Sequence, residues 1–586
     1  MKKLFFALIF IMIYLVAKPL LLFIVPGIFV WKLFPKKENS EKAIYVAFIS
    51  ISFWIVSFWI LKILPISMLD FFNIVIALCF CSLLIWYPMI SFKKRDLIII
   101  GIFFIIIIAR CLPFIMGHFP SGADTSFHVL TTKTIVTTNG FPEKYSIIPL
   151  PFGGYPIGFH IFSAYISLVS GIPEYKSVLL LSNLSYALLS LAVFVFLRRY
   201  FSDTISLAGA ALVPLIANNP QFFISWGGNP FVFSLSILFV GISLLEDKKL
   251  ISLADSLVIG LVFCASFIAH LTPAYVYLYI YLIWYIYSKK YLIRSSLKSH
   301  LVLALICILL LMPFILSYET RISPDEITFS EERQDTKFLS WKGTWQDSVL
   351  TIPNFINYLF GPILITFCLL GLLFMFTGKK LLSKIVVYFS VIFILILSSR
   401  YKFIPISDVL FSERTAMILL LPLSILFCEF LANITNRKLT RNLFPDSKLA
   451  MPVLLSIVIA YLFFVSATNY QHYLRISDTY SMVTPDDLDA FSWILNNTDS
   501  TDYFITNYGD AGLWLPVLTD RPALQMQLPP MYLDEFNEFQ EKQVSKYIFF
   551  GSKKVYECDL RIEDYKSDEY EIVYSKKGVT IFKIKQ

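Results

Sequence analysis

A chain of 586 residues that is 57% apolar and 17% aromatic but only 15% charged is too apolar for a water-soluble globule and has the composition of a polytopic membrane protein. Its net charge of +8 is unevenly spread: the stretch from 468 onward holds 19 acidic and 12 basic residues, a net of −7, so the basic excess belongs to the apolar part. That distribution argues against nucleic-acid binding, which wants a basic exposed domain, and no GxxxxGK[ST] or GxGxxG loop marks a nucleotide site.

Crossing roughly 30 Å of hydrocarbon takes about 20 mainly apolar residues. Residues 4–34 are apolar but interrupted by Lys18, Pro19, Pro26 and Gly27, which leaves one long tilted helix or two short ones open. Lys2 and Lys3 resemble the start of a signal peptide, yet the apolar stretch runs on too long and no small-residue cleavage site follows. Thirteen further spans are expected near 43–64, 71–90, 97–116, 177–197, 205–218, 229–245, 250–269, 272–288, 300–317, 353–376, 381–398, 413–433 and 450–467.

Basic residues gather in six short connections: Lys93, Lys94 and Arg95; Arg198 and Arg199; Lys248 and Lys249; Lys289 to Lys298; Lys379 and Lys380; Arg437 to Lys448. All six fall on one side of the proposed spans, and that side is expected to be the cytoplasm. Residues 117–176, 218–229, 318–352, 399–412 and everything after 468 are then outside. Seven of the eight cysteines lie in or beside apolar spans and only Cys558 in the tail, so no disulfide framework or CxxC metal site is available.

The tail reads as a small α/β domain. Thr484 followed by Pro485, Asp486 and Asp487 is a helix start, with a capping residue, proline in the first turn and acids beside it. Strands are expected at 503–506, 547–550, 570–574 and 579–584, the last two joined by a turn over Ser575, Lys576, Lys577 and Gly578. Asn496, Asn497 and Thr498 form a glycosylation sequon on the outer side. The expected organisation is a polytopic α-helical membrane domain over 1–467 and an extracytoplasmic α/β domain over 468–586.

The first outer loop, 117–176, is dense in chemistry: His118, Asp124, His128, Lys133, Glu143, Tyr145, Tyr155 and His160. A carboxylate at the mouth of a membrane bundle can act as general base toward an acceptor hydroxyl or amide, or help hold a divalent cation, Mg or Mn, that neutralises a leaving phosphate. Asp124 and His128 are four apart, which puts them on one face if TSFHVLTTKTIV is helical. Asp124 also suits a helix cap, and the two roles are compatible. Downstream, Gly153 to His160 (GGYPIGFH) opens a short apolar segment ending near Gly171, too short to span and expected to lie in the interface or re-enter.

A GAD plus FH element in the first outer loop, then YPxGFH, a many-span core and an outer α/β tail resembles the GT-C superfamily. The resemblance implies a membrane glycosyltransferase that uses sugars carried on polyprenyl phosphate, with an acid of the first outer loop at the active site. Asp124 matches that acid. The chain departs from the mannosyltransferase-like pattern, since Thr125 stands where a second acid would follow, and from the oligosaccharyltransferase pattern, since the loop has no DxD and the tail no WWDYG. Glu143 is the carboxylate nearest in sequence to partner Asp124.

Other groups expected at the outer mouth fit a sugar-phosphate pocket: Trp226 to Asn229 (WGGN), His270 with Thr272 and Pro273, and Glu413 with Arg414. Arg414 suits a bidentate contact to a lipid phosphate, or an ion pair with Glu413 or Asp408; Trp226 suits stacking on a sugar face, or a place in the aromatic belt. The acidic loop 318–352, with Asp325, Glu326, Glu331, Glu332, Asp335, Trp341 and Trp345, is either a gate over the mouth or solvated charge. Two functions compete: transfer of a sugar to a lipid, glycan or protein acceptor on the outer face, and lipid or polysaccharide transport without transfer. Transport predicts charges buried within spans, whereas here the ionisable groups gather at the outer mouth.

Overall fold

The computed structural model describes residues 10–34, 37–85, 92–148, 150–153, 155–217, 223, 225–246, 252–288, 293–319, 351–375, 379–401, 412–435, 450–526, 537 and 539–585. Asp325, Glu326, Glu331, Glu332, Asp335, Trp341, Trp345 and Asp408 lie outside them, as does the side chain of Glu413.

A helix occupies each of the thirteen apolar segments: Asn39–Ser57, Met68–Ile85, Lys94–Arg110, Glu174–Leu197, Asp203–Ile216, Asn229–Glu246, Leu253–Ala269, Leu271–Ser288, Ile293–Glu319, Thr351–Met375, Lys379–Tyr401, Leu420–Ile434 and Ala450–Thr479. Among the described residues four helices are long and apolar enough to cross a membrane unaided: Asn39–Lys62, Glu174–Leu197, Lys298–Leu316 and Arg414–Ile434. Asp203–Ile216 is shorter; its 14 residues rise only about 21 Å. Within 10–34 the chain is helical over 10–16, breaks at Ala17, and continues as a short helix, Leu21–Ile24, between 3-10 turns at Lys18–Leu20 and Gly27–Leu33, so the prolines divide this stretch rather than bend one long helix.

Glu174–Leu197 is apolar all round and buried along most of its length, packed between Asn229–Glu246 and Asp203–Ile216. Its serines bond back to their own helix, Ser182 Oγ to the Val178 carbonyl and Ser185 Oγ to that of Leu181, both at 2.7 Å, which satisfies each hydroxyl without water. Ile293–Glu319 instead exposes Leu301, Leu305, Ile308, Leu309 and Leu316, a face that suits lipid.

Two of the basic connections meet at one end of the bundle. Arg95 pairs with Glu38 at 2.9 Å and with Asp203 at 2.8 Å, Arg198 pairs with Asp203 at 2.7 Å, and Lys37 pairs with Glu41 at 2.6 Å.

The other end carries the loop 117–176, expected on the outer side and built on helices Asp124–Thr138 and Gly158–Ser170. Of the two expectations for Gly158–Ser170, interface or re-entry, a place in the interface does not hold: the helix is buried inside the protein, against Asp124–Thr138, Glu174–Leu197 and Asn39–Ser57. Its apolar side chains meet protein on all sides, so a helix too short to span needs no contact with lipid.

The tail forms a four-stranded sheet from β1 (Tyr503–Thr506), β2 (Ser545–Phe550), β3 (Tyr570–Lys576) and β4 (Val579–Ile584), in the order β1-β2-β4-β3, with β1 and β2 parallel and the other pairs antiparallel. Lys577 and Gly578, at φ 48° and 89°, make the two-residue connection from β3 to β4, the left-handed turn that matches strand twist. Thr484 caps Pro485–Asn497 in a reciprocal capping box with Asp487, and Phe491 stacks on Phe549 of the sheet at 5.4 Å.

The tail is fastened to the first outer loop. Lys133 Nζ donates to the Val517 carbonyl and pairs with Asp520, each at 2.8 Å; Phe119 meets Trp514 edge-on at 4.7 Å; Ser121 Oγ donates to the Ser477 carbonyl at 2.6 Å. Gly122, at φ 88°, sits where a Cβ would stand 2.4 Å from the Trp226 carbonyl carbon and 2.5 Å from the Gly227 nitrogen. Gly122→Ala therefore combines left-handed strain, about 1–3 kcal/mol, with a backbone collision that no rotamer relieves. Gly171→Ala, at φ 72° with nothing within 4 Å, carries the strain alone. Thermal unfolding in detergent should show Gly122→Ala lowering the midpoint clearly more than Gly171→Ala; equal losses would mean that the 122 to 226 contact is unimportant.

Candidate active site

Asp124 is the first residue of its helix, with Ala123 in the capping position, so its charge lies at the positive end of the helix rather than serving as the cap itself. The turn that delivers it is held by backbone: Gly122 N–H donates to the Tyr480 carbonyl and Asp124 N–H to the Trp226 carbonyl, each at 3.1 Å. Thr125 and Ser126 spend their hydroxyls locally, on the carbonyls of Ser121 and Ala123. The Asp124 side chain is left half-buried, in reach of solvent.

One turn on, His128 is buried. Its Nε2 lies 3.0 Å from the Gly227 carbonyl and its Nδ1 3.0 Å from Nε2 of His160. A carbonyl only accepts, so His128 carries its proton on Nε2; a neutral ring then accepts at Nδ1 from His160 Nε2–H. Burial, reinforced by the positive charge of Arg414, pushes His128 down to about 4 even though the Gly227 carbonyl favours its charged form. Burial and the neighbouring His128 hold His160 well below the usual histidine range. Both rings are thus neutral near pH 7 and act as a fixed hydrogen-bonded link between the two loop helices and the Gly227 turn.

Tyr155 packs beside this pair, edge-on to His160 with ring centroids 5.9 Å apart and tilted against His128 at 6.3 Å. Burial pushes its hydroxyl up to about 12, with Arg414 lowering it and Asp124 raising it, so both charges face the same ring.

Arg414 lies over the ring of Trp226 at 5.2 Å, and its Nη1 stands 3.3 Å from Nε2 of His270. His270 Nδ1 meanwhile accepts from the Thr272 N–H at 3.2 Å. A neutral imidazole has one lone pair; with that taken by Thr272, His270 turns an N–H toward the guanidinium. Two donors thus face each other at this corner. Burial and then Arg414 hold His270 well below its ordinary value, which keeps it in this neutral donor form. Next to Trp226, the buried Asn229 begins its helix with an Oδ1 that has no hydrogen-bond partner among the described residues.

Asp124, His128, Tyr155, His160, Trp226, Asn229, His270 and Arg414 are thus linked through shared backbone and ring contacts at one end of the bundle. Glu143 is not part of the group: it is exposed, and its tie to the loop is its carbonyl, which accepts from Phe152 N–H at 2.8 Å. Among the described residues no three His, Cys, Asp or Glu side chains gather as metal ligands, so Asp124 has no partner set for the expected cation there.

Two tail residues complete the mouth and were not anticipated. Tyr556 donates its hydroxyl to the Ser225 carbonyl at 2.8 Å, and the charge of Asp124 acts on both Tyr556 and Tyr508. Asp510 holds their loops together, accepting from Gly512 N–H at 2.7 Å, Gly551 N–H at 3.0 Å and Asn507 Nδ2 at 3.3 Å. The local signal is the glycine-rich Asn507–Gly512 turn directly after β1.

No curated protein matches the chain by sequence. By fold it is similar to the oligosaccharyltransferase of Archaeoglobus fulgidus in its apo form, at 12% identity, over 77% of this chain and 69% of that one, with a TM-score of 0.50. The same enzyme tethered to an acceptor peptide containing the NVT sequon matches at 11% identity, 78% and 69% coverage and a TM-score of 0.49. At such identity the likeness is one of fold, and that fold is GT-C-like. Residues 96–531 match the model of a family of unknown function, DUF6541, and the chain belongs to that family.

Proposed function

We propose that the protein is a glycosyltransferase of the plasma membrane that moves a hexose or pentose from a polyprenyl-phosphate-linked donor to a lipid, glycan or protein acceptor on the outer face. The observation that carries the reading is that one residue, Trp226, joins Asp124 to the Arg414–His270 corner on a GT-C-like fold: its carbonyl accepts from Asp124 N–H and its ring lies under Arg414.

In this reading Asp124 takes the proton from the acceptor hydroxyl or amide as its nucleophilic atom bonds to the anomeric carbon. The bond from that carbon to the phosphate oxygen breaks on the opposite face, so the configuration inverts, and the phosphate leaves with the electron pair. Arg414 and the His270 N–H meet the charge that develops. Trp226, already carrying Arg414 on one face, borders the sugar. The energy comes from the donor, so no nucleotide is needed. A divalent cation at Asp124 would neutralise the same phosphate, but the described residues supply no ligand set for it, and the charge is assigned to Arg414. His128 and His160, neutral and hydrogen-bonded at 3.0 Å, hold Asp124's helix in place rather than exchange protons with substrate. With neither DxD in the first outer loop nor WWDYG in the tail, the residues do not support transfer to a peptide sequon.

The test is sugar release by the purified protein from a panel of polyprenyl-phosphate sugars. Asp124→Asn should lower turnover by about 10²–10⁴-fold, the usual worth of a general base, while Glu143→Gln should stay close to wild type. Equal turnover in wild type and Asp124→Asn would remove Asp124 as base, and no turnover on any donor would overturn the transferase reading in favour of transport.

Arg414→Gln should lower kcat by about 10²–10³-fold, the range for one lost charge-stabilising donor. A change confined to KM would place Arg414 in ground-state binding instead.

The histidine link has a pH signature. His128 falls from its ordinary 6.5 to about 4 on folding, so between those values the unfolded chain binds a proton that the folded one refuses. Stability therefore falls as pH drops from 6.5 toward 4, by an amount on the order of 3 kcal/mol at most. His160 and His270 are depressed in the same direction, so His128→Gln should make the fall of the thermal midpoint across that window shallower without abolishing it; an unchanged slope would show that His128 does not contribute.

A further inference from the structure

Arg110 stands at the outer end of Lys94–Arg110, 1% exposed, with its guanidinium 5.1 Å from the ring centre of Tyr473 and 5.7 Å from that of Tyr186. One of its N–H groups donates to the Pro214 carbonyl at 3.2 Å, and its Nη1 has no hydrogen-bond partner among the described residues. Among the described residues the ionisable side chains that face it are Tyr473, Tyr186 and Tyr470, and no carboxylate is among them.

The neighbouring groups are donors too. Asn183 and Tyr186, both 0% exposed, lie three residues apart on one face of Glu174–Leu197. The Asn183 Nδ2 amide and the Tyr186 hydroxyl also have no partners among the described residues. Tyr473 ties them to Arg110, sharing its hydroxyl between Asn183 Oδ1 and the Arg110 carbonyl.

A guanidinium cannot shed its proton, and a buried cation without a counter-charge is costly. Two tyrosine faces offset part of that cost, but they leave the N–H groups of Nη1 without an acceptor. Water would accept from these donors without balancing the charge. We infer that Arg110, Asn183 and Tyr186 form a buried site for a small monovalent anion, a halide such as chloride. The near-zero exposure of all three side chains selects a monatomic ion over a phosphate that carries acyl chains.

The site bears on the outer mouth without belonging to it. Tyr473 lies on Ala450–Thr479, the helix whose Ser477 carbonyl receives the Ser121 hydroxyl and whose next residue, Tyr480, receives Gly122 N–H. Binding an anion at Arg110 stiffens that helix against the first outer loop.

The test does not depend on any transferase activity. The thermal midpoint of the purified full chain is measured in detergent at constant ionic strength while sodium gluconate is replaced by sodium chloride or bromide. The midpoint should rise with halide and saturate. In Tyr186→Phe, which removes only a hydroxyl, the half-saturating concentration should rise about tenfold, as expected for one lost hydrogen bond. In Arg110→Gln the halide-dependent rise should vanish. Equal wild-type midpoints in gluconate and chloride would overturn the site, as would an undiminished rise in Tyr186→Phe or a rise produced only by phosphate or anionic lipid. Tyr186→Phe keeps the test decisive if Arg110→Gln does not fold.

Discussion

The contact between Gly122 and the Trp226–Gly227 backbone is the constraint on which the Asp124 end of this molecule depends. Two loops from distant parts of the chain approach so closely that neither tolerates a Cβ: one at Gly122 would stand 2.4 Å from the Trp226 carbonyl carbon, and one at Gly227 would stand 2.8 Å from Thr125 N. The closeness is what lets Asp124 N–H reach the Trp226 carbonyl and His128 reach that of Gly227. Trp226 in turn carries Arg414. The turn that carries the carboxylate is thereby fixed by backbone hydrogen bonds beside the tryptophan whose ring carries a guanidinium from a different helix.

The tail secures the same turn from the other side. Tyr480 receives Gly122 N–H, Ser477 receives the Ser121 hydroxyl, and Tyr556 reaches the Ser225 carbonyl. Lys133 anchors the far part of the helix to the carbonyl end of Leu515–Thr519, where a cation complements both the free carbonyls and Asp520. The α/β unit thus completes the walls around Asp124, which accounts for Tyr508 and Tyr556 sensing its charge.

What was legible in the sequence follows from how local each signal is. Helices stand at all thirteen apolar segments because a run of apolar residues is enough to mark a helix in a chain of this composition. The β-strands Tyr503–Thr506 and Val579–Ile584 and the Thr484 cap are equally local patterns, and each appears where alternation and capping chemistry place it. The burial of Gly158–Ser170 is not local: its apolar face reads the same whether it meets lipid or protein. Glu143 drew attention through closeness in sequence to Asp124, but the Glu143–Phe152 backbone pairing leaves its side chain in solvent. Tyr508, Tyr556 and Arg110 were missed for the opposite reason, since their partners are hundreds of residues away or on other helices.

The histidines show how burial decides chemistry that residue type leaves open. His128 and His270 look alike in sequence as titratable groups near a membrane surface. Each is buried and kept neutral, yet each has a different nitrogen committed: His128 donates through Nε2 to a carbonyl, while His270 accepts at Nδ1 from a backbone N–H. The first arrangement turns a lone pair toward His160 and closes a structural link. The second turns an N–H toward Arg414, which lies over the Trp226 ring. Arg414 helps to keep both rings uncharged, so one guanidinium acts on two histidines whose hydrogen-bond roles differ.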